Sequence, residues 1–262
     1  MCSEKYNISF KRVRGDSLPR ACFSKATLSM SARNIAIFGG SFDPFHNGHF
    51  ALLQKVLAQF CFSQLFLTPT FCSPFKDGNF FSPDERLQMC ALVAKELDGK
   101  NCEIIACDFE VAQKRVVYSI ELVEYVKKIR ESKSQTTLKN LKILSTNVSK
   151  IFFILGLDSF ATLHRWYQFE RLCEEVEFIV CDRADSQSFQ TTLENLQNFN
   201  SQKNARVRAH FLEFTSHLSS TQLRAELQKS SESKQLDSLF QQIPSCLHSF
   251  MKEILLRKEF AK

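Results

Sequence analysis

Two hydrophobic periods alternate along this chain, and each switch between them marks out an element. Ile35-Ala36-Ile37-Phe38 is an unbroken apolar run of the kind a strand buried on both faces requires. Phe50, Leu53, Leu57 and Phe60 then recur at helical spacing and predict a helix whose apolar stripe packs on a sheet. Strands are further predicted over residues 64–69, 103–109, 151–155, 176–181 and 206–214, with helices over 83–97 and 118–129. Alternation of this kind predicts an α/β fold with a mainly parallel sheet, right-handed crossovers and flanking helices. Leu236, Leu239, Ile243, Leu247, Phe250, Ile254 and Leu255 predict paired C-terminal helices over 236–258. Two polar stretches, about 131–149 and 184–204, read as surface insertions, the second with a helix around 192–199.

Composition adds a boundary. The chain has 262 residues and 44% hydrophobic content, enough for a large core. Residues 1–33 hold seven basic residues against Glu4 and Asp16, whereas the rest balances 27 basic against 26 acidic. The formal charge of +6 therefore lies mostly in the N-terminal segment. We expect that segment to be a basic, flexible extension, or an upstream stretch with Met30 as the working start, followed by one domain over 34–262. An organelle transit segment is a further reading of its composition, but a secretory signal lacks the required apolar core. The near-neutral remainder argues against a nucleic-acid-binding face, and no apolar run of membrane-spanning length argues for a membrane partner. Ten cysteines without a CxxC pair suggest free thiols in a reducing compartment, hence a cytoplasmic protein. The 26 phenylalanines read as core filling. A homo-oligomer is compatible with the pattern, which does not fix the state.

Candidate chemistry concentrates where the first strand meets the first helix, in Gly39-Gly40-Ser41-Phe42-Asp43-Pro44-Phe45-His46-Asn47-Gly48-His49. The glycine pair lets backbone approach a ligand closely, and the helix behind it turns its N-terminal amides toward an anion. His46 and His49, three residues apart, share one face, where two imidazoles can donate to phosphate oxygens that gain charge during group transfer. Far along the chain, Leu218-Ser219-Ser220-Thr221-Gln222-Leu223-Arg224 opens another helical pattern. Ser219 or Ser220 can cap that helix, and Ser220, Thr221 and Arg224 suit a phosphate chain. Taken alone, either motif is also an ordinary helix start.

The first string resembles the signature of HxGH-type nucleotidyltransferases, which move AMP or CMP from a nucleoside triphosphate to a phosphate. The second resembles the ISSTxxR motif of the same family, which closes over the β and γ phosphates of ATP. Ile151-Phe152-Phe153-Ile154-Leu155-Gly156-Leu157-Asp158-Ser159-Phe160, with Leu163 and Trp166, resembles the FIxGxDSLxxLxxW segment of bacterial nicotinate mononucleotide adenylyltransferases. This resemblance, over about 34–258, implies a Rossmann-like nucleotidyltransferase fold and transfer of AMP from ATP to nicotinate mononucleotide in NAD biosynthesis. It implies catalytic roles for His46, His49 and Arg224. It implies ATP contacts at Gly39, Gly40, Ser41, Phe42, Gly48, Gly156, Asp158, Ser219, Ser220 and Thr221. It also implies acceptor contacts at Lys76, Tyr118, Ser119 and Trp166, the last as a platform for the pyridine ring.

Mg2+ is expected with ATP, held by substrate and water rather than by a protein metal site. The pattern is not followed everywhere. Pro74-Phe75-Lys76 stands for Pro-His-Lys, and Val117-Tyr118-Ser119 for Ser-Tyr-Thr, whereas Arg86-Leu87-Gln88-Met89 resembles the family's RLxM helix, which implies a structural Arg86. Nicotinamide mononucleotide or phosphopantetheine as acceptor, a catalytically silent nucleotide sensor, and a nucleic-acid module built on the basic segment are the alternatives.

Overall fold

The computed structural model describes residues 8–13, 34–72, 78–99, 102–138, 150–182, 206–216, 218–229 and 238–259. Its strands are β1 (Ile8–Val13), β2 (Ile35–Gly40), β3 (Gln64–Pro69), β4 (Glu103–Ala106), β5 (Ile151–Gly156), β6 (Val176–Asp182) and β7 (Val207–Glu213). Its helices are α1 (Asn47–Gln59), α2 (Pro83–Leu97), α3 (Phe109–Gln113), α4 (Ser119–Leu138), α5 (Leu157–Ala161), α6 (Phe169–Glu175), α7 (Ser220–Lys229) and α8 (His248–Glu259). The chain divides into two compact units interleaved along the sequence. One comprises Met1–Phe38, Cys61–Ser63 and Val117–Thr215, the other Gly39–Phe60, Gln64–Val116 and Ser216–Lys262.

In the first unit the strands run in the order β2-β5-β6-β7-β1, and each pair is parallel. Ile35–Phe38 and Ile151–Leu155 are buried throughout, which is why they read as unbroken apolar runs rather than alternating ones. Asn34 pins the entry to β2: its side chain accepts from the Lys150 amide at 3.1 Å, and its carbonyl accepts from the Ser63 amide at 2.8 Å. Arg208 of β7 donates to the carbonyl of Glu174 at 3.0 Å, satisfying an orphan group at the end of α6. Lys127–Glu175 at 2.6 Å and Arg171–Glu124 join α4 to α6.

The second unit pairs β3 with β4 in parallel, with α1, α2, α3, α7 and α8. α2 starts where the sequence places it, because Ser82 and Glu85 form a capping box (3.2 and 2.7 Å) and Pro83 occupies the first turn. Leu53, Val56, Leu65, Leu67, Met89, Val93, Leu223, Leu239 and Met251 are buried there.

Three expectations change. Residues 8–13 of the supposedly flexible extension form β1, parallel to β7; Ile8, Phe10 and Val13 give that edge strand only a weak pattern. The strand predicted over 103–109 ends at Ala106, and Asp108, in helical backbone, starts α3 instead. α4 runs on to Leu138, nine residues past the predicted end at 129, so the first polar insertion begins as helix; Glu131, Lys133 and Gln135 favour that conformation. The C-terminal helices expected over 236–258 are present, with helix at 238–240 and α8 separated by a 3₁₀ turn at Ser245–Leu247. Pro244, which has no amide hydrogen, interrupts the pattern. The remainder of 1–33, residues 139–149 and the whole of 184–204 lie outside the described residues.

Cys72, Cys90, Cys102, Cys107, Cys173, Cys181 and Cys246 are free thiols, whereas Cys61 is disulfide-bonded, against the expectation of free thiols alone. Burial pushes the thiols of Cys102 and Cys173 up to about 12, which makes them poor nucleophiles.

Candidate active site

At the end of β2 the chain enters a tight turn. A side chain on Gly40 would meet the Phe42 ring at 2.9 Å, and Phe42 itself takes left-handed backbone, φ 45°. That turn drives Phe42 and Phe45 into the core, where their rings lie 5.2 and 5.1 Å from the imidazole of His49. Phe42, expected as an ATP contact, thus has its side chain packed beneath a histidine.

The two histidines build the start of α1. His46 is the N-cap, and its Nδ1 accepts the Gly48 amide at 3.1 Å; His49, three residues on, accepts the His46 amide at Nδ1, 3.3 Å away. This is a capping box made of imidazoles in place of the usual hydroxyl and carboxylate. Their rings stack with centroids 3.7 Å apart and planes 21° from parallel. A neutral imidazole whose Nδ1 accepts must carry its proton on Nε2, so the cap sets one tautomer in both rings. The packing leaves no room for a side chain at Gly48, where a Cβ would meet Ser216 Oγ at 2.6 Å and the His46 ring at 2.9 Å.

The second motif is tied to this turn within the same unit. Ser219 caps α7, its Oγ accepting the Thr221 amide at 3.3 Å. Ser220 Oγ donates to the Pro44 carbonyl at 3.2 Å. Arg224 donates from Nη1 to the Asp43 carbonyl at 2.8 Å and from Nη2 to Thr221 Oγ1 at 3.0 Å. Residues about 180 positions apart in sequence therefore meet: His46, His49, Ser220, Thr221 and Arg224 belong to one bonded assembly. Lys76 lies outside the described residues.

Two supports of that assembly were not read as such from the sequence. Asp43, 1% exposed, accepts the Phe80 and Phe81 amides at 3.1 and 2.9 Å, and its Oδ2 lies 3.7 Å from Arg224 Nη1. Arg86, fully buried, donates to the carbonyls of Phe81 (3.2 Å), Ser41 (2.8 Å), Thr70 (2.6 Å) and Phe71 (2.9 Å). Burial lowers its pKa, while nearby Asp43 opposes that shift. Arg86 is thus structural, as expected, and it joins the turns that leave β2 and β3. The signal for Asp43 was its place inside the glycine–histidine string; nothing local marks the carbonyls that Arg86 gathers.

The other unit carries the remaining expected residues. Gly156 ends β5 and is exposed; a Cβ there would meet nothing within 4 Å, and its φ of −77° is open to any residue. Asp158 is exposed in the first turn of α5. Trp166, half-buried, meets Phe153 edge to face at 5.9 Å. Tyr118, 47% exposed, stacks at 4.4 Å on Tyr167, 51% exposed, and Ser119 begins α4 beside it. Tyr167 had no motif to reveal it beyond its position next to Trp166.

Among the described residues no group of three or more His, Cys, Asp or Glu is placed to hold a metal ion. No described helix is long and apolar enough to cross a membrane.

The cytidylyltransferase-like family model matches residues 37–226. A Helicobacter hepaticus protein named "Probable nicotinate-nucleotide adenylyltransferase" is 31% identical over 236 residues, 83% of this chain and 94% of its own length. A Campylobacter jejuni protein of the same name is 38% identical over 151 residues, 58% of this chain and 72% of its own. Among solved structures, Plasmodium falciparum nicotinic acid mononucleotide adenylyltransferase complexed with NaAD shares the fold at TM-score 0.58 and 18% identity, covering 84% of this chain and 96% of that one. The chain belongs to the cytidylyltransferase-like family and, within it, to the nicotinate-nucleotide adenylyltransferases.

Proposed function

We infer that this protein transfers AMP from ATP to nicotinate mononucleotide, giving deamido-NAD and pyrophosphate. The observation that carries the reaction type is the imidazole capping box, which sets the Nε2–H tautomer in two stacked rings at a helix start. The acceptor is supported by the names of the relatives.

In this reading a phosphate oxygen of nicotinate mononucleotide attacks the α phosphorus of ATP in line. The new P–O bond forms as the bond to the β phosphate breaks, and pyrophosphate departs with the electron pair. No protein nucleophile is needed, so the residues act by positioning and by offsetting charge. His46 and His49 donate to the triphosphate and the transferring group. Arg224, with Ser220 and Thr221, holds the leaving pyrophosphate, while the backbone of Gly39, Gly40, Gly48 and Gly156 contacts the nucleotide. Asp158 takes sugar hydroxyls; Trp166 faces the pyridine ring, and Tyr118, Ser119 and Lys76 complete the acceptor contacts. Mg2+ would arrive with ATP as a counter-ion held by substrate and water. When bound, it neutralises phosphate charge.

The test is pyrophosphate release from MgATP with nicotinate mononucleotide, its amide or phosphopantetheine in separate reactions. Preference for the first is the expected result. Preference for another acceptor would reject the assignment while keeping the chemistry, and no release with any would leave a nucleotide sensor.

A further inference from the structure

Lys258, near the end of α8, reaches the loop that holds Asp43. Its Nζ lies 4.7 and 4.9 Å from the ring centroids of Phe80 and Phe81, donates to the Phe80 carbonyl, and sits 3.4 Å from Glu85 Oε2. Glu85 closes the capping box of α2, so one ammonium joins a helix start, two aromatic faces and a backbone carbonyl. The Phe80 and Phe81 amides are the groups that clamp both oxygens of the Asp43 carboxylate. Asp43 in turn holds Arg224 by its carbonyl at 2.8 Å and by its carboxylate at 3.7 Å. Together with the Arg86 bond to the Phe81 carbonyl, the ammonium helps to fix the 80–81 backbone that clamps Asp43.

We propose that Lys258 is a positioning residue for Arg224, acting through the Phe80–Phe81 backbone and Asp43. The inference rests on the reading of Arg224 as the residue that holds the leaving pyrophosphate. A guanidinium displaced by a fraction of an ångström still leaves the protein folded, but it meets the departing charge in poorer geometry.

Lys258→Met keeps the apolar stem and deletes the charge and its hydrogen bonds, so fold and mechanism can be separated. In the full-length protein it should lower kcat by about tenfold to a hundredfold. The inhibition constant for pyrophosphate should rise in parallel, while KM for nicotinate mononucleotide stays within about twofold and the melting temperature changes by only a few degrees. Lys258→Arg should restore most of the activity. In an Arg224→Ala background the same change should have no further effect, the non-additivity expected of residues acting through one another.

Unchanged kcat in Lys258→Met, with Arg224→Ala impaired, would overturn the proposal and leave the Arg224 reading intact. An equal loss in both backgrounds would also overturn it, since Lys258 would then act elsewhere. Full activity in Arg224→Ala would reject the reading of Arg224 and the proposal with it.

Discussion

A histidine used as a helix cap has half its chemistry decided before a ligand arrives. Nδ1 of His46 and of His49 each accept a backbone amide, which fixes where the remaining proton sits and how each ring is aimed. Gly48 between them is required by packing, because a Cβ would strike Ser216 and the His46 ring. Gly156 is not required by packing or by backbone conformation. The two glycines therefore separate fold from function. Gly48→Ala should both destabilise the protein, by about 1–3 kcal/mol as for overpacking, and lower activity. Gly156→Ala should leave the melting temperature unchanged and raise KM for ATP. Thermal melts beside steady-state kinetics on the two variants check this; a stability loss at Gly156 would count against its ligand role.

At the scale of elements, the sites where the sequence was legible are those whose cause is local. The start of α2 at Pro83 was predicted from the helical pattern and is fixed locally by the Ser82–Glu85 box, and β2 and β5 were visible because both faces are buried. Junctions set by distant residues were not visible. Arg86 draws together carbonyls from the turns after β2 and β3 and from the approach to α2, residues 5 to 45 positions away. The family resemblance implied that the residue is structural but could not say what it holds. Arg86→Met should leave several buried carbonyls unpaired and cost at least about 3 kcal/mol of unfolding free energy. Activity should fall as well, since Ser41 lies in the turn leading to the histidines. A urea melt with an unchanged midpoint would remove Arg86 from this role.

Across the whole molecule, the two motifs that carry the reading sit in one unit although about 170 residues separate them in sequence, whereas Tyr118, Ser119 and Trp166, expected as acceptor contacts, belong to the other. The linear order of motifs was enough to name the chemistry. It did not reveal the interleaving of the units or the strand at 8–13, because non-local pairing leaves little trace in local periodicity.

Global stability has its own marker in Glu177 of β6, buried and bonded to His210 at 2.7 Å and to Lys150 at 2.7 Å. The His210 hydrogen bond is the main cause that holds its carboxyl down at about 2; burial opposes the shift and Lys150 adds to it. A carboxyl depressed in the folded state contributes stability above its unfolded value near 4.5, and loses it as pH falls from there toward about 2. Wild type should therefore lose stability over that window more steeply than Glu177→Gln, and parallel melting curves in the two would refute the linkage. The most direct test of the account is transfer of label from α-labelled ATP to nicotinate mononucleotide by wild type and by His49→Ala. The variant should lose no more than about 1 kcal/mol of stability from its altered cap. Its turnover should fall by about 10² to 10³ fold, and near wild-type turnover would contradict the role of the imidazole pair in adenylyl transfer.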